Sequence, residues 1–316
     1  MAVALRSAPV RIPRFGEPVR VAFVGQETYF AQCALHAPTA ELRPRFFDFR
    51  AGVGDDATAL RAALDDWGAH VVVVFRPEIM PPGALHGLRA ATLGFVTEPL
   101  KRAGGEDHPD LDWRESELAL TDPGNFDRIV AFDPHVAATA DRHAPVWRSL
   151  PLPVDDRLYQ DVAPSSAPPR ILFIGYSTEH RERFLVNAKH AYDVLHYAHG
   201  LHGDELRDVF ARTDVALNLH GEPYPSFENR VLLHLAAGHL VISEPLDPTH
   251  GLEPSTDFLE IRRPDELMTI LYQLTRRPDT FERVRLRGRQ KADDYRASRI
   301  WPRVIADLLE DVRVFG

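Results

Sequence analysis

Ser226, Asn229 and Arg230 fall inside one five-residue window, between an apolar run and a helical one. A hydroxyl, an amide and a guanidinium at the start of a helix suit an anion. Unpaired backbone N–H groups and the helix dipole point at the ligand, and arginine clamps its charge. The surrounding segment, Asp214 to Pro245, reads as strand, polar loop, helix, glycine turn and second strand. Val215, Leu217 and Leu219 form the first strand, and His220-Gly221-Glu222-Pro223 breaks it. The spacing predicts a helix over 227–237 with Ser226 as N-cap, Leu232, Leu235 and Ala236 on its buried side, and Gly238 ending it. This arrangement is suited to a nucleotide diphosphate. Glu228 in the same turn could simply complement the dipole of its own helix.

Other residues invite chemistry less strongly. Gly175-Tyr176-Ser177 and Arg181 follow an apolar strand; glycine admits a phosphate and Arg181 could neutralise it, although a surface arginine would look the same. His196, His199 and His202 have a ligand-like spacing. With no carboxylate or thiolate beside them and a loop to carry them, they make a poor metal site. Asp110-Leu111-Asp112 is a metal-binding tripeptide by type, but such tripeptides are frequent by chance and this one falls in an expected loop. No metal is expected.

The elements that position these residues repeat. VRVAFVGQETYF at 19–30 echoes PRILFIGYSTEH at 169–180, each an apolar strand ending in one glycine before a polar loop. Neither holds G-x-G-x-x-G, so a dinucleotide fingerprint is absent. Strands are expected at 19–24, 45–49, 71–75, 92–96 and 128–132, with helices at 57–67, 82–90 and 135–143. The second half repeats the plan, with strands at 170–174, 193–197, 215–219, 240–243 and 258–261 and helices at 178–189, 204–213, 227–237 and 264–275. Alternation of this kind implies two parallel sheets covered on both faces. The acidic, glycine-rich interval 101–125 reads as a surface excursion. The domains read as a flexible tail 1–17, a first Rossmann-like domain 18–150, a proline-rich linker 151–169, a second domain 170–297, and a final helix 298–316. That helix, after a break before Pro302, offers Ile305, Leu308, Leu309 and Val312, which need an apolar partner on the first domain.

At 316 residues, with 44% hydrophobic and 26% charged residues, the chain has length for two ordinary soluble domains. A net charge of -9 argues against nucleic acid as the main partner. Cys33 stands alone, which excludes an intrachain disulfide and fits a reducing cytoplasm. The apolar runs are too short for a transmembrane segment, and the tail lacks the apolar stretch of a signal peptide.

Two Rossmann-like halves, a proline-rich connector and a charged helix N-terminus in the second half resemble a GT-B glycosyltransferase. Phe173-Ile174-Gly175, Arg181, Tyr192-Asp193, Leu217-Asn218-Leu219-His220 and Arg230 through Gly238 are similar in order to the spore-maturation-protein-like branch. The resemblance implies α/β architecture with the two domains facing each other across a cleft and the C-terminal helix packed on the first. It implies a nucleoside-diphosphate sugar as co-substrate, with no other cofactor. The donor would contact Gly175, Tyr176, Arg181, His196, Tyr197, Asn218, His220, Ser226, Phe227, Glu228 and Asn229. Arg230 would stabilise the departing diphosphate. The acceptor, a glycan, lipid-linked or small molecule, would lie near Gly25, Gln26, Glu27 and Asp133 of the first domain, where Glu98 or His135 could act as base. His135 could equally be an ordinary residue at a helix start.

One departure stands out. Aligned on Gly238, the two glutamates of the family's E-x7-E motif fall on Pro225 and Leu233. Glu222 and Glu228 are nearby but out of register. A nucleotide-sugar epimerase of the same fold, or a binding protein with a degenerate donor site, therefore remain as alternatives. Donor hydrolysis separates the three.

Overall fold

The computed structural model describes residues 9–50, 56–105, 108–162, 164–221 and 224–315. Glu222, residues 1–8 of the N-terminal tail, Ala163 of the connector and Glu106-Asp107 of the acidic interval lie outside them. The chain forms two compact units, Met1–Leu152 with Ala297–Gly316, and Pro153–Arg296.

The first unit carries β1 (Val19–Gly25), α1 (Glu27–Phe30), β2 (Leu42–Asp48), α2 (Ala57–Trp67), β3 (Val71–Phe75), β4 (Ala91–Val96), α3 (Pro109–Leu118), β5 (Arg128–Ala131), α4 (Ala137–Ala140) and β6 (Val146–Ser149). Its six strands run parallel in the order β2-β1-β3-β4-β5-β6. Successive strand residues go to opposite faces, as the two-residue period requires. Val21, Phe23, Val71, Val73 and Phe75 pack in one core cluster. Ala22, Val24, Val72 and Val74 pack in another with Leu60 and Leu64 of α2.

The second unit carries β7 (Ile171–Ile174), α5 (Glu179–Ala191), β8 (Val194–Tyr197), α6 (Gly203–Ala211), β9 (Val215–Asn218), α7 (Arg230–Ala236), β10 (Leu240–Ser243), β11 (Leu259–Glu260), α8 (Pro264–Arg276) and α9 (Glu282–Ala292). Its parallel order is β11-β10-β9-β7-β8. One face buries Phe173, Leu217 and Ile242 with α5 and α8. The other buries Leu172 and Val241 with α6 and α7. The stretch before β7 is tied into this unit: Val154 bridges to Arg296, and the Tyr159 hydroxyl donates to Ala292 O at 2.6 Å.

The last helix, α10 (Ala297–Phe315), belongs to the first unit. Its Trp301, Val304, Ile305, Leu308 and Val312 join the cluster around Phe23 and Phe75. The expected break before Pro302 is displaced to 293–296, and Pro302 sits inside the helix. The apolar stripe runs unbroken through the proline, and its burial outweighs one lost backbone bond.

Three local expectations also change. Residues 82–90 form turns instead of a helix, because Gly83 and Gly87 take left-handed φ values of 75° and 69°. Asp110-Leu111-Asp112 lies in the first turn of α3 rather than a loop. There the two aspartates complement the helix dipole. Val146–Ser149 pairs with β5 as a sixth strand.

Candidate functional site

In the second unit, β7 leads to β8 on one side while β9 pairs on the other, so the order reverses between β7 and β9. Crevices outside the carboxyl ends of strands at such a reversal bind ligands in open α/β sheets. Two arginines occupy this point. Arg230 donates from Nη1 to Ile174 O at the end of β7 (2.9 Å) and from Nη2 to Leu219 O just past β9 (3.0 Å). Its Nε donates to Asn218 Oδ1 at 2.8 Å, and Nη2 also meets Glu228. Arg181 comes from α5, whose N-cap Thr178 accepts from the Arg181 N–H. Its Nε donates to Leu219 O at 2.9 Å, its Nη1 to Tyr176 O at 3.1 Å, and its Nη2 to Glu228 at 3.4 Å. Both guanidiniums lie over the Phe173 ring, 5.6 and 5.8 Å from its centre.

The glycines around the pair leave it close-fitting room. A Cβ on Gly175 would stand 3.2 Å from Arg230 Nη1 and 3.3 Å from Arg181 Nη1; one on Gly221 would stand 3.0 Å from Arg181 Nη2. The geometry thus presents one buried and one partly buried cation behind bare backbone, as a phosphate-bearing ligand needs.

The expected helix start is corrected. The helix begins at Arg230 with Asn229 as N-cap and no capping side chain, and it is seven residues long. Ser226 is no cap: its hydroxyl faces His220 Nδ1 at 3.2 Å. His220 Nε2 faces Pro245 O at 2.7 Å, so it donates there and leaves Nδ1 to accept from Ser226. Phe227 is buried, edge-on to His250 at 4.6 Å, which turns Ser226 and Phe227 inward and delays the helix. The anion-attracting groups are therefore side-chain guanidiniums, with no long helix behind them.

The remaining residues of this edge divide. Asn218 is fully buried and also donates to Ser243 Oγ at 2.9 Å. His196 bonds Gly175 O at 2.8 Å and packs on Phe173, whereas Tyr176 is exposed and lies against His199 with ring centres 5.4 Å apart. His202 bonds Gly200 O. Tyr197 is half-buried. The three histidines thus have separate duties, and among the described residues no group of three or more His, Cys, Asp or Glu could hold a metal.

Sequence reasoning missed Glu244. It is buried at the end of β10, accepts from the His220 N–H at 2.7 Å, and pairs with His180 at 2.9 Å. A carboxylate placed directly after a buried strand was the available signal. Leu233, at a family glutamate position, is 7% exposed and belongs to the core.

In the first unit the candidate residues line the carboxyl ends of β1, β4 and β5. Glu98 lies 3.6 Å from Arg76 and 3.7 Å from Arg114. Asp133 is buried, pairs with Arg102 at 3.2 Å and accepts from the His135 N–H. His135 itself is exposed in a short turn. Gly25 ends β1, Gln26 flanks α1 as its N-cap, and the Glu27 N–H donates to Asp48 at 2.8 Å. Nearby, desolvation raises the Glu78 carboxyl against the opposing pull of Arg76.

No curated protein sequence matches the chain. Residues 170–302 match a family model described as glycosyl transferase-like. Among solved structures, HepE from Anabaena in complex with UDP-glucose is similar over 92% of this chain and 99% of its own, with a TM-score of 0.57 and 10% identity. Sucrose-phosphate synthase from Thermosynechococcus elongatus covers 94% and 100%, with a TM-score of 0.56 and 11% identity. An alpha-glucosyltransferase in complex with UDP-glucose and DNA containing an abasic site covers 92% and 100%, with a TM-score of 0.55 and 8% identity. Both units are thus the Rossmann-like, parallel-sheet halves of the GT-B fold, and most of the second lies within the segment that matches the glycosyl transferase-like model.

Proposed function

We propose that the chain transfers a glycosyl group from a nucleoside-diphosphate sugar, held by the second unit, to an acceptor hydroxyl offered at the first. The observation that carries this reading is the Arg181–Arg230 pair at the strand-order reversal, inside the segment that matches the glycosyl transferase-like model. Transfer breaks the bond between the sugar and the diphosphate, and negative charge develops on the leaving oxygens. Fixed guanidiniums over Phe173 stabilise that charge without reorganising. Tyr176 and Tyr197, at the neighbouring strand ends, supply aromatic surface for the base. Glu98 and His135 are the candidate bases on the acceptor side, and no metal is required because the arginines supply the positive charge. UDP-glucose in the complexes of HepE and the alpha-glucosyltransferase makes a uridine nucleotide the first donor to try.

Thermal unfolding with UDP, GDP, dTDP and CDP tests the reading. One of them should raise the midpoint, by the linkage of binding to folding, and its sugar nucleotide should leak slowly to water. No stabilisation by any of the four overturns it. Binding without hydrolysis or transfer favours the degenerate binding protein, for which buried Leu233 is the supporting observation.

A further inference from the structure

The two site arginines share a carboxylate. Glu228 meets Nη2 of Arg230 and lies 3.4 Å from Nη2 of Arg181. The side chains of Arg181, Arg230 and Glu228 are 7%, 13% and 21% exposed, so the carboxylate is the outermost of the three. Five further bonds of the pair run inward, to Ile174 O, Tyr176 O, Asn218 Oδ1 and Leu219 O, the last of which accepts from both arginines. Those acceptors are neutral. An anion approaching the guanidiniums therefore arrives where Glu228 already sits.

Buried cations demand a nearby anion, and leaving them with neutral acceptors alone is costly. Glu228 meets that demand, and so would a diphosphate. The two cannot do so together at no cost: like charges at a few ångströms repel, strongly so near a partly buried site. The geometry points to Glu228 as a built-in competitor for the diphosphate, a specificity-determining residue that limits how tightly nucleoside diphosphate is held and speeds its release after transfer. This rests on the donor-site reading above. Rotation of the Glu228 side chain away from the pair, with no change in the inward bonds, suffices to admit the ligand.

The role has an unusual sign. A carboxylate that only braces the arginines, or that binds ribose or sugar, weakens ligand binding when removed. A competitor strengthens it. Titration calorimetry with inorganic pyrophosphate, and with UDP, GDP, dTDP and CDP, should be run on the wild type, on Glu228→Gln and Glu228→Ala, and on Glu228→Asp. Pyrophosphate and the best nucleoside diphosphate should bind both neutral variants about tenfold tighter, the equivalent of one charge-assisted contact no longer displaced. The bare nucleoside should bind unchanged, and Glu228→Asp should bind as the wild type does. Equal or weaker diphosphate binding by a neutral variant that unfolds at the wild-type midpoint overturns the competitor role and leaves the donor site standing. An equal gain in Glu228→Asp overturns it too, since the effect would then follow side-chain length. If the folded wild type and every variant bind none of the five probes, the donor-site reading itself falls.

Discussion

Arg181 and Arg230 donate to one carbonyl oxygen, that of Leu219, from 2.9 and 3.0 Å. Arg181 arrives from the helix after β7 and Arg230 from the start of α7, the helix after β9, so one acceptor ties together the polypeptide leaving both strands. A carbonyl has two lone pairs and can accept from both. The pair is therefore a fixed object rather than two mobile surface charges, and loss of one guanidinium should be felt at the other.

Arg230→Ala is expected to weaken binding of a nucleoside diphosphate by about 1.5–3 kcal/mol, the range for a hydrogen bond to a charged group. The bare nucleoside should lose much less. Leu233→Ala is the contrast, since it opens a cavity in the core at a cost of about 2–5 kcal/mol in stability with no preference between the ligands. Isothermal titration of both ligands against both variants checks this. Equal losses for nucleoside and diphosphate in Arg230→Ala would make the arginine purely structural.

Donor binding should be insensitive to chelation. His196 is committed to Gly175 O and His202 to Gly200 O. EDTA is expected to leave the nucleoside-diphosphate titration unchanged. Stoichiometric zinc in the purified protein, lost on mutating His196 and His199, would contradict this.

Acid should destabilise the second unit through a buried histidine pair. His239 donates from Nε2 to Phe210 O at 3.0 Å, so its Nδ1 accepts from His234 Nδ1 at 3.2 Å. His234 Nε2 has no hydrogen-bond partner. Burial lowers His239 to about 4, and burial with the neighbouring His239 and Arg230 holds His234 well below its ordinary 6.5. Both are neutral when folded, whereas the unfolded chain takes up protons once the pH falls below 6.5. Their stabilisation is thus complete above pH 6.5 and is lost as pH falls toward 4, by roughly 3 kcal/mol for His239. Urea titrations across this range should show the slope, and His234→Leu should flatten it. His70, also lowered to about 4 by burial beside Arg20, adds the same sign in the first unit.

Gly288→Ala should be among the most damaging small substitutions. A Cβ there would stand 2.3 Å from Asp257 O and 2.6 Å from Leu235 Cδ2, which forces α9 away from α7. A loss of about 1–3 kcal/mol is expected, the usual cost of overpacking, because backbone on one side cannot yield. Chemical denaturation measures it; a change below about 0.5 kcal/mol, the range of an inert surface substitution, would show that the helix moves freely.

The strands that could be read most directly were those whose burial is complete. Val71–Phe75 and Leu240–Ser243 have the expected bounds because an unbroken apolar run between turn residues admits one reading. Ala57–Trp67 is bounded as expected because Asp56 caps it and Gly68 closes it in the left-handed region. By contrast α3 was hidden: PDLDWRESEL buries only Leu111 and Leu118, too few to set a helical period. At the site, residue types were legible and their partners were not. Arg181 is buried because carbonyls of Tyr176 and Leu219, 5 and 38 residues away, converge on it, and no local pattern records that.

The order of elements along the chain also bears on how the protein is made. The second unit is contiguous, Pro153–Arg296, whereas the first waits for Ala297 onward to receive α10. On the ribosome the earlier-coded sheet therefore emerges with Phe23, Phe75 and Phe95 lacking Trp301, whose ring lies 4.9 to 6.3 Å from theirs. Domains generally finish in the order of synthesis; here the second can finish before the first. Through the translation of some 144 intervening residues, Pro153 to Arg296, the nascent first unit presents an open aromatic face. That interval is when chaperone binding and aggregation compete with folding.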